Sequence, residues 1–247
     1  PFARMTAEDE AIVPFGDALV AAQAGRGAAR VTTFSAHDAA ADIAPRGDRI
    51  EHRPRGWAFP LALLKIAGAH NVANACAAIG VAAALGAGEG AIAAALASFT
   101  GLDHRTVLAG ELDGVRYYDD SKGTNVGASV AALRGLAEPR AVLIAGGRDK
   151  LGAYEPLCDA LRDRGRALVL IGEAADRIEA AARGILPIAR AATMPEAVAA
   201  ARELARKGDA VLLSPACSSF DMFRDYKERG DVFTQAVRDL AARGGAS

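Results

Sequence analysis

An α/β fold with a mainly parallel sheet is what this sequence predicts, and three observations carry the prediction. From residue 141 onward, short apolar runs alternate with helical stretches of roughly ten residues, the rhythm of parallel strands joined by helical crossovers. Those runs end in polar clusters rich in Gly and Ser, at the strand ends where such sheets bind ligands. Aromatic residues make up only 5% of the 247, while Gly and Ala abound, which favours closely packed helices over an aromatic-rich β-sandwich.

The elements follow in order. Residues 11–14, 30–34 and 57–66 read as β-like runs, and 70–85 and 91–99 as helices. In the first helix Val72, Ala75, Cys76, Ile79, Ala82 and Ala83 recur at helical spacing and form one buried stripe. Strands set before helices, with no βα unit upstream, make a peculiar isolated domain. Residues 1–102 therefore read as the later part of a larger α/β domain, with a boundary near 100–104. Beyond it, 106–112 and 115–118 flank Asp113-Gly114, a two-residue hairpin signal. A helix starts at about Thr124. Strands at 141–145, 167–171, 187–189 and 210–213 then alternate with helices around 156–164, 175–183, 195–206 and 222–242, which makes 103–247 a second domain.

Composition narrows the function classes. With 29 Lys and Arg against 30 Asp and Glu, the net charge of −1 lacks the basic excess of a general nucleic-acid binder. The most apolar stretch, 75–87, is too short to span a bilayer, so no membrane partner is expected. The N-terminal PFARMTAEDE has no signal-peptide pattern and no initiating Met, and the chain is expected to begin inside a longer protein. Three cysteines without a C-x-x-C pair suit a reducing cytoplasm, and the four histidines show no metal-ligand spacing. G-x-x-x-x-G-K-[ST], G-x-S-x-G and H-E-x-x-H are absent, so no P-loop, hydrolase elbow or zincin motif is present.

Chemistry concentrates in clusters that follow strands. YYDDSKGTN, residues 117–125, joins a strand to a helix, and the free N–H groups of a helix start attract anions. Lys122 adds a full charge there, although Asp120, Ser121 and Thr124 also suit plain capping. IAGGRDK, 144–150, places Arg148 and Lys150 beside a Gly146-Gly147 pair that leaves the strand end open, or forms a solvated turn. In LLSPACSSFDMF, 212–223, Ser218 or Ser219 either caps a helix near Asp221 or holds a carboxylate. Cys217 invites a nucleophile role, but no histidine follows His104 in the second domain to activate it, and a small packed residue is the better reading. HNVAN, 70–74, sets Asn71 and Asn74 on neighbouring parts of one helix face, as base-reading amides or as caps. His104-Arg105 sits at the domain boundary, a phosphate contact or a polar hinge.

Taken together and in order, HNVANACAAIGVAAALG, GLDHRTVLAGELDGVRYYDDSKGTNVGASVAALRGL, LIAGGRDK and LLSPACSSFDMFRDYKERGDVF resemble the Mur ligases, and among them most the D-glutamate-adding members. The D-N-P-R signature of the lysine- or diaminopimelate-adding relatives is absent. The resemblance implies that 1–102 is the C-terminal portion of a central ATPase domain and 103–247 a Rossmann-like amino-acid-binding domain. The UDP-binding domain, the P-loop and the magnesium ligands belong upstream, so no catalytic or metal residue is assigned here and the fragment alone is expected to be inactive. It implies ATP and Mg2+ as cofactors and a cytoplasmic monomer in peptidoglycan biosynthesis. D-glutamate is added there to UDP-N-acetylmuramoyl-L-alanine through an acyl phosphate. Asn71 and Asn74 are implied near adenine, and Arg105, Asp120 and Lys122 around ribose and phosphates. Thr124, Lys150 and Ser219 are implied on the D-glutamate carboxylates, with a backbone contact from Tyr226, since many members carry Phe there. A folylpolyglutamate or other Mur ligase with a different amino acid, and a non-catalytic module for a nucleotide or acidic ligand, are the alternatives.

Overall fold

Burial alternates along Glu10–Pro14, with Ala11 and Val13 inward, and this strand (β1) pairs in parallel with Arg30–Phe34 (β2). The computed structural model describes residues 2–66, 68–149 and 152–244, and the chain divides into two units, Pro1–Gly101 and Leu102–Ser247. Between β1 and β2 runs the helix Ala18–Ala24 (α1), started by Asp17, whose carboxylate accepts from the Val20 N–H at 3.0 Å. The first unit thus contains a βα crossover, which corrects the expectation of strands with no βα unit upstream. ALVAAQA has no polar face to reveal a helical period; Asp17 was the available signal.

The sheet continues through Ile43–Arg46 (β3), parallel to β2, then antiparallel through Arg49–His52 (β4) and Trp57–Pro60 (β5). The run expected over 57–66 is shorter: after Pro60 the chain turns into a 3-10 helix over Leu61–Leu63. The helices Ala69–Ala84 (α2) and Glu89–Ser98 (α3) follow, and α2 packs Cys76, Ile79 and Ala83 against Ile43, Ile50 and Phe59. At Gly80 a Cβ would lie 2.8 Å from Ile43 Cδ1 and 3.0 Å from Ile12 Cγ2, so the helix meets the sheet there through bare backbone.

The second unit opens with a hairpin, Val107–Leu112 (β6) and Val115–Asp119 (β7), turned by Asp113 and Gly114 at φ +49° and +76°, both in the left-handed region the sequence signal implies. Val126–Gly135 (α4), Ala141–Gly146 (β8), Glu155–Arg164 (α5), Gly165–Ile171 (β9) and Ala175–Ala182 (α6) come next. Ile188–Arg190 (β10), Met194–Leu204 (α7), Ala210–Leu213 (β11) and Tyr226–Gly244 (α8) complete the unit. Strand order is β10-β9-β8-β11-β7-β6, parallel except for β6 on β7. Alternate residues of the central strands face opposite helical layers. Leu143, Leu168 and Leu212 meet Leu133, Leu157 and Ile178; Val142, Ile144, Val169 and Val211 meet Val198 and Phe233. No helix among the described residues is long and apolar enough to cross a membrane.

Two helix starts differ from expectation. Asn125, not Thr124, caps α4, its side-chain oxygen accepting from the Ala128 N–H at 2.9 Å. The helix expected from 222 begins at Tyr226, because the N–H groups of Met222 and Phe223 close a turn on the Ser219 carbonyl, and Asp225 accepts from Lys227 and Glu228.

At the amino ends of the strands, Arg166 grips Asp209 with two bonds, at 2.8 and 3.1 Å, and Asp209 also accepts from the Arg206 N–H at 2.9 Å. Burial alone would raise the Asp209 carboxyl, but these donors outweigh it and hold it below 3.8. Its stabilisation is therefore present above about pH 4 and lost as pH falls through the depressed folded value. R166M is expected to cost the second unit about 1.5–3 kcal/mol at pH 7 and less at pH 3. Urea unfolding at both pH values checks this, and equal losses would contradict it.

Candidate functional site

Where β8 leads to β9 on one side and β11 returns on the other, the loops after β7, β8 and β11 emerge side by side, the switch point at which doubly wound sheets open a cleft. Backbone bonds lace them together. The Asp120 N–H donates to the Leu213 carbonyl at 2.8 Å, Ala216 to Gly123 at 2.9 Å, Gly146 to Pro215 at 2.9 Å, and Arg148 and Ser218 exchange bonds at 2.9 and 3.2 Å. Gly146 and Gly147, at φ +119° and +128°, are required by this closeness: a Cβ would collide with the Ile171 and Ser218 carbonyls. The Gly146-Gly147 pair, expected to leave an open strand end, instead permits close packing.

Beneath the loops lies a polar network. Ser214 Oγ donates to Asp120 Oδ2 at 2.6 Å and stands 2.9 Å from Ser129 Oγ, which also accepts from the Ala216 N–H at 2.9 Å. Thr106 Oγ1 donates to the other Asp120 oxygen at 3.3 Å. Burial, with the neighbouring charge of Asp119 added, pushes the Asp120 carboxyl up to about 6 against those hydroxyls. Asp119 bonds His104 Nδ1 at 2.7 Å and the Ser121 N–H at 2.9 Å. Gly230 lets α8 pass over this pair, since a Cβ there would strike His104 Nδ1. His104, Thr106 and Ala216 all hold positive φ, at +61°, +52° and +59°. Such backbone costs about 1–2 kcal/mol each and gathers where surrounding structure enforces a functional shape.

Arg229 is the largest fully buried side chain. Its guanidinium donates to Ser121 Oγ at 3.0 Å, the Ser121 carbonyl at 2.8 Å and the Cys217 carbonyl at 3.3 Å. Ser121 Oγ in turn donates to the Tyr226 carbonyl at 2.7 Å. Sequence reading assigned Arg229 nothing. The signal was its place at the head of the inward stripe Arg229, Phe233, Ala236, Val237 and Leu240, an arginine where the helix calls for an apolar residue. Tyr154 and Arg177 were also missed: the Tyr154 hydroxyl donates to Asp149 at 3.0 Å, and Arg177 pairs with the same carboxylate.

The expected site residues lie as follows. Lys122 extends its ammonium over the Tyr226 ring, 3.9 Å from the centroid, rather than into open solvent. A cleft of ≈ 290 Å³ lined by Leu102, Asp103, His104, Arg105, Lys122, Tyr226 and Lys227 lies on one side of the 120–125 loop. A second of ≈ 290 Å³, lined by Asn125, Val126, Gly127, Gly152, Ala153, Tyr154 and Ala216, opens at the start of α4. Arg105 is exposed and Thr124 half-buried. Ser219 is buried, its carbonyl used in the turn before α8. Asp120, at 7% exposure, has both oxygens engaged within the protein. Lys150 lies outside the described residues. Asn71 and Asn74 belong to the first unit, on the opening turns of α2, Asn71 half-buried and Asn74 exposed. Cys217 is buried 3.3 Å from the Tyr154 hydroxyl, and burial pushes its thiol up, the reverse of an activated nucleophile. Among the described residues, no group of three or more His, Cys, Asp or Glu is arranged to hold a metal.

Comparison with known proteins matches residues 104–217 to the family described as "Mur ligase, glutamate ligase domain". The UDP-N-acetylmuramoylalanine--D-glutamate ligase of Syntrophotalea carbinolica is 45% identical over 98% of the chain and 54% of the relative. That of Geotalea daltonii is 44% identical over 97% and 53%. The chain thus spans about half the length of the curated relatives it matches. Among solved structures, the MurF ligase of Thermotoga maritima in complex with ADP has a TM-score of 0.63 at 17% identity, covering 94% of the chain and 55% of that protein. Folylpolyglutamate synthase of Mycobacterium tuberculosis complexed with ADP has a TM-score of 0.64 at 16% identity, covering 90% and 51%, a likeness of fold alone. Residues 104–217 thus match the glutamate ligase domain of the Mur ligases, and nearly the whole chain is similar in sequence to D-glutamate-adding members of that family.

Proposed function

We propose that this chain supplies the nucleotide-facing rim and the amino-acid-binding domain of an ATP-dependent ligase that joins D-glutamate to UDP-N-acetylmuramoyl-L-alanine in peptidoglycan synthesis. The observation that carries the reading is the convergence, at one switch point, of three loops bearing cations and hydroxyls, in a chain 45% identical to a D-glutamate ligase. The cleft beside Lys122 has the donor set for phosphate groups, with Arg105 and Lys227 also lining it. ATP, when bound, supplies the phosphoryl group that turns a carboxylate into a competent acyl donor, and Mg2+ is expected on ligands upstream of this chain.

The residues here bind and orient. Arg105 and Lys122 meet the phosphates, and Asp120 shapes the loop between them and the ribose. Thr124, Lys150, Ser219 and the backbone of Tyr226 hold the two carboxylates of D-glutamate so that its amine faces the acyl group. Asn71 and Asn74 serve the adenine. Correct placement of amine and acyl group is worth several kcal/mol of barrier. The free, buried thiols of Cys76, Cys158 and Cys217 suit a reducing, cytoplasmic setting.

Phosphate release by the full-length gene product, given ATP, UDP-N-acetylmuramoyl-L-alanine and either D-Glu, L-Glu or L-Ala, tests the reading. D-Glu alone is expected to support turnover; preference for L-Glu or L-Ala would assign the chain to a different ligase. K150M is expected to raise KM for D-Glu about ten- to a hundredfold, the loss of one charge-assisted contact. An unchanged KM would remove Lys150 from the site.

A further inference from the structure

Only the backbone of Tyr226 has a role toward the amino acid, yet its ring is where the Lys122 ammonium rests, Nζ 3.9 Å from the centroid. Adjacent residues of one loop engage two parts of the same residue: Ser121 Oγ bonds the Tyr226 carbonyl at 2.7 Å while Lys122 covers the ring face. The ring is fixed from other sides as well. Arg229, one turn along α8, bonds Ser121 from beneath, and the His104 ring meets Tyr226 edge-on, with centroids 6.0 Å apart and planes at 83°. His104 is itself anchored by Asp119 at 2.7 Å. The ring is therefore a preset surface, and Lys122 and Tyr226 both line the cationic cleft.

We propose that the Tyr226 ring is a positioning residue that holds the Lys122 ammonium at this cleft, ready for the phosphate groups of the nucleotide. The proposal rests on reading the cleft as phosphate-facing. A lysine carries its charge on a flexible four-carbon stem and loses rotamer freedom whenever it binds an anion. A ring face attracts the ammonium through its quadrupole and removes much of that freedom beforehand. Unlike a carboxylate partner, the ring does not neutralise the charge, so the ammonium keeps its full attraction for phosphate. Phe at this position retains the face; Leu does not.

The full-length ligase is assayed for kcat and KM for ATP as wild type, K122M, Y226L, Y226F and K122M/Y226L. Y226L is expected to raise KM for ATP about three- to twentyfold, the range of a partly desolvated cation–ring contact. Y226F is expected to rescue most of that loss, and K122M/Y226L to bind ATP no worse than K122M. Equal impairment of Y226F and Y226L, or losses that multiply in the double variant, would overturn the proposal. K122M with wild-type kcat and KM for ATP would instead overturn the phosphate-facing reading on which it rests. Independently of any folding defect in a variant, the Lys122 ε-methylene protons of the wild type are expected to show an upfield ring-current shift in selectively labelled protein. Unshifted ε-methylene signals would also refute the contact.

Discussion

Arg229→Met is expected to lower the stability of the second unit by about 3–5 kcal/mol, because it strips buried acceptors of a charged donor they have no means of replacing. The Ser121 and Cys217 carbonyls and the Ser121 hydroxyl all bond the guanidinium, which is fully buried. Burial pushes Arg229 down to about 10, and Cys217, Asp221, Asp119 and Asp120 act against that fall, so the group is cationic at neutral pH. Removing it also leaves those aspartates without their shared cation. Lysine is a poor substitute, since one ammonium cannot span acceptors arranged around a planar fork. Because Arg229 joins the loop after β7 to the loop after β11, ligase activity is expected to fall with stability. The four tyrosines, Tyr117, Tyr118, Tyr154 and Tyr226, all lie in the second unit and the single Trp57 in the first. Urea unfolding read by tyrosine near-ultraviolet dichroism therefore follows the affected unit, and tryptophan fluorescence serves as the internal control. A tyrosine transition with the wild-type midpoint and slope would refute the argument.

What could be read from the sequence follows one physical rule: features set by local pattern were legible, and features set by distant partners were not. AVLIAG over Ala141–Gly146 is wholly buried, as a central parallel strand must be, and its apolar run announced it. Asp113-Gly114 encoded its turn in its own backbone freedom. By contrast, α1 is too short and too uniformly apolar to show a period. The helix start at Asn125 rather than Thr124 depends on which side chain reaches Ala128, a choice made within one residue. In the candidate site, the loops were visible because polar clusters interrupt apolar strands. Their lacing was not, because it joins residues far apart in the chain: Ser214 to Asp120, and Arg229 to Ser121. Lys122 was legible as a charge at a helix start, and only the fold supplies the ring beneath it. Gly146 and Gly147 stood out at once, but their reason is a neighbouring backbone that sequence does not display.

Asp120→Asn is expected to make the second unit more stable at neutral pH and the ligase slower. The Asp120 carboxyl is pushed from 3.8 up to about 6, chiefly by burial, with Asp119 adding to the shift and the Ser214 and Thr106 hydroxyls opposing it. A group that holds its proton more tightly when folded stabilises the fold most below about pH 4. That contribution drains away as pH rises from 4 to 6 and stays lost above. The interval corresponds to about 3 kcal/mol of unfavourable burial carried at pH 7. An amide of the same shape carries no such charge: its oxygen accepts from the Thr106 hydroxyl and N–H, and its NH2 donates to the Ser214 oxygen, whose own hydroxyl turns to Ser129 at 2.9 Å. D120N is expected to gain about 1–3 kcal/mol at pH 7.5 and to remove the contribution that Asp120 makes to the stability slope between pH 4 and 6. Activity is expected to drop about tenfold or more, because a charge retained at such expense in a strand-tip cluster marks a group kept for function rather than folding. Tyrosine dichroism in urea across pH 4–8, with turnover measured in parallel, decides the matter. A D120N chain less stable than wild type at pH 7.5, or one with the wild-type pH slope, would mean the carboxylate is a structural acceptor and not a strained one.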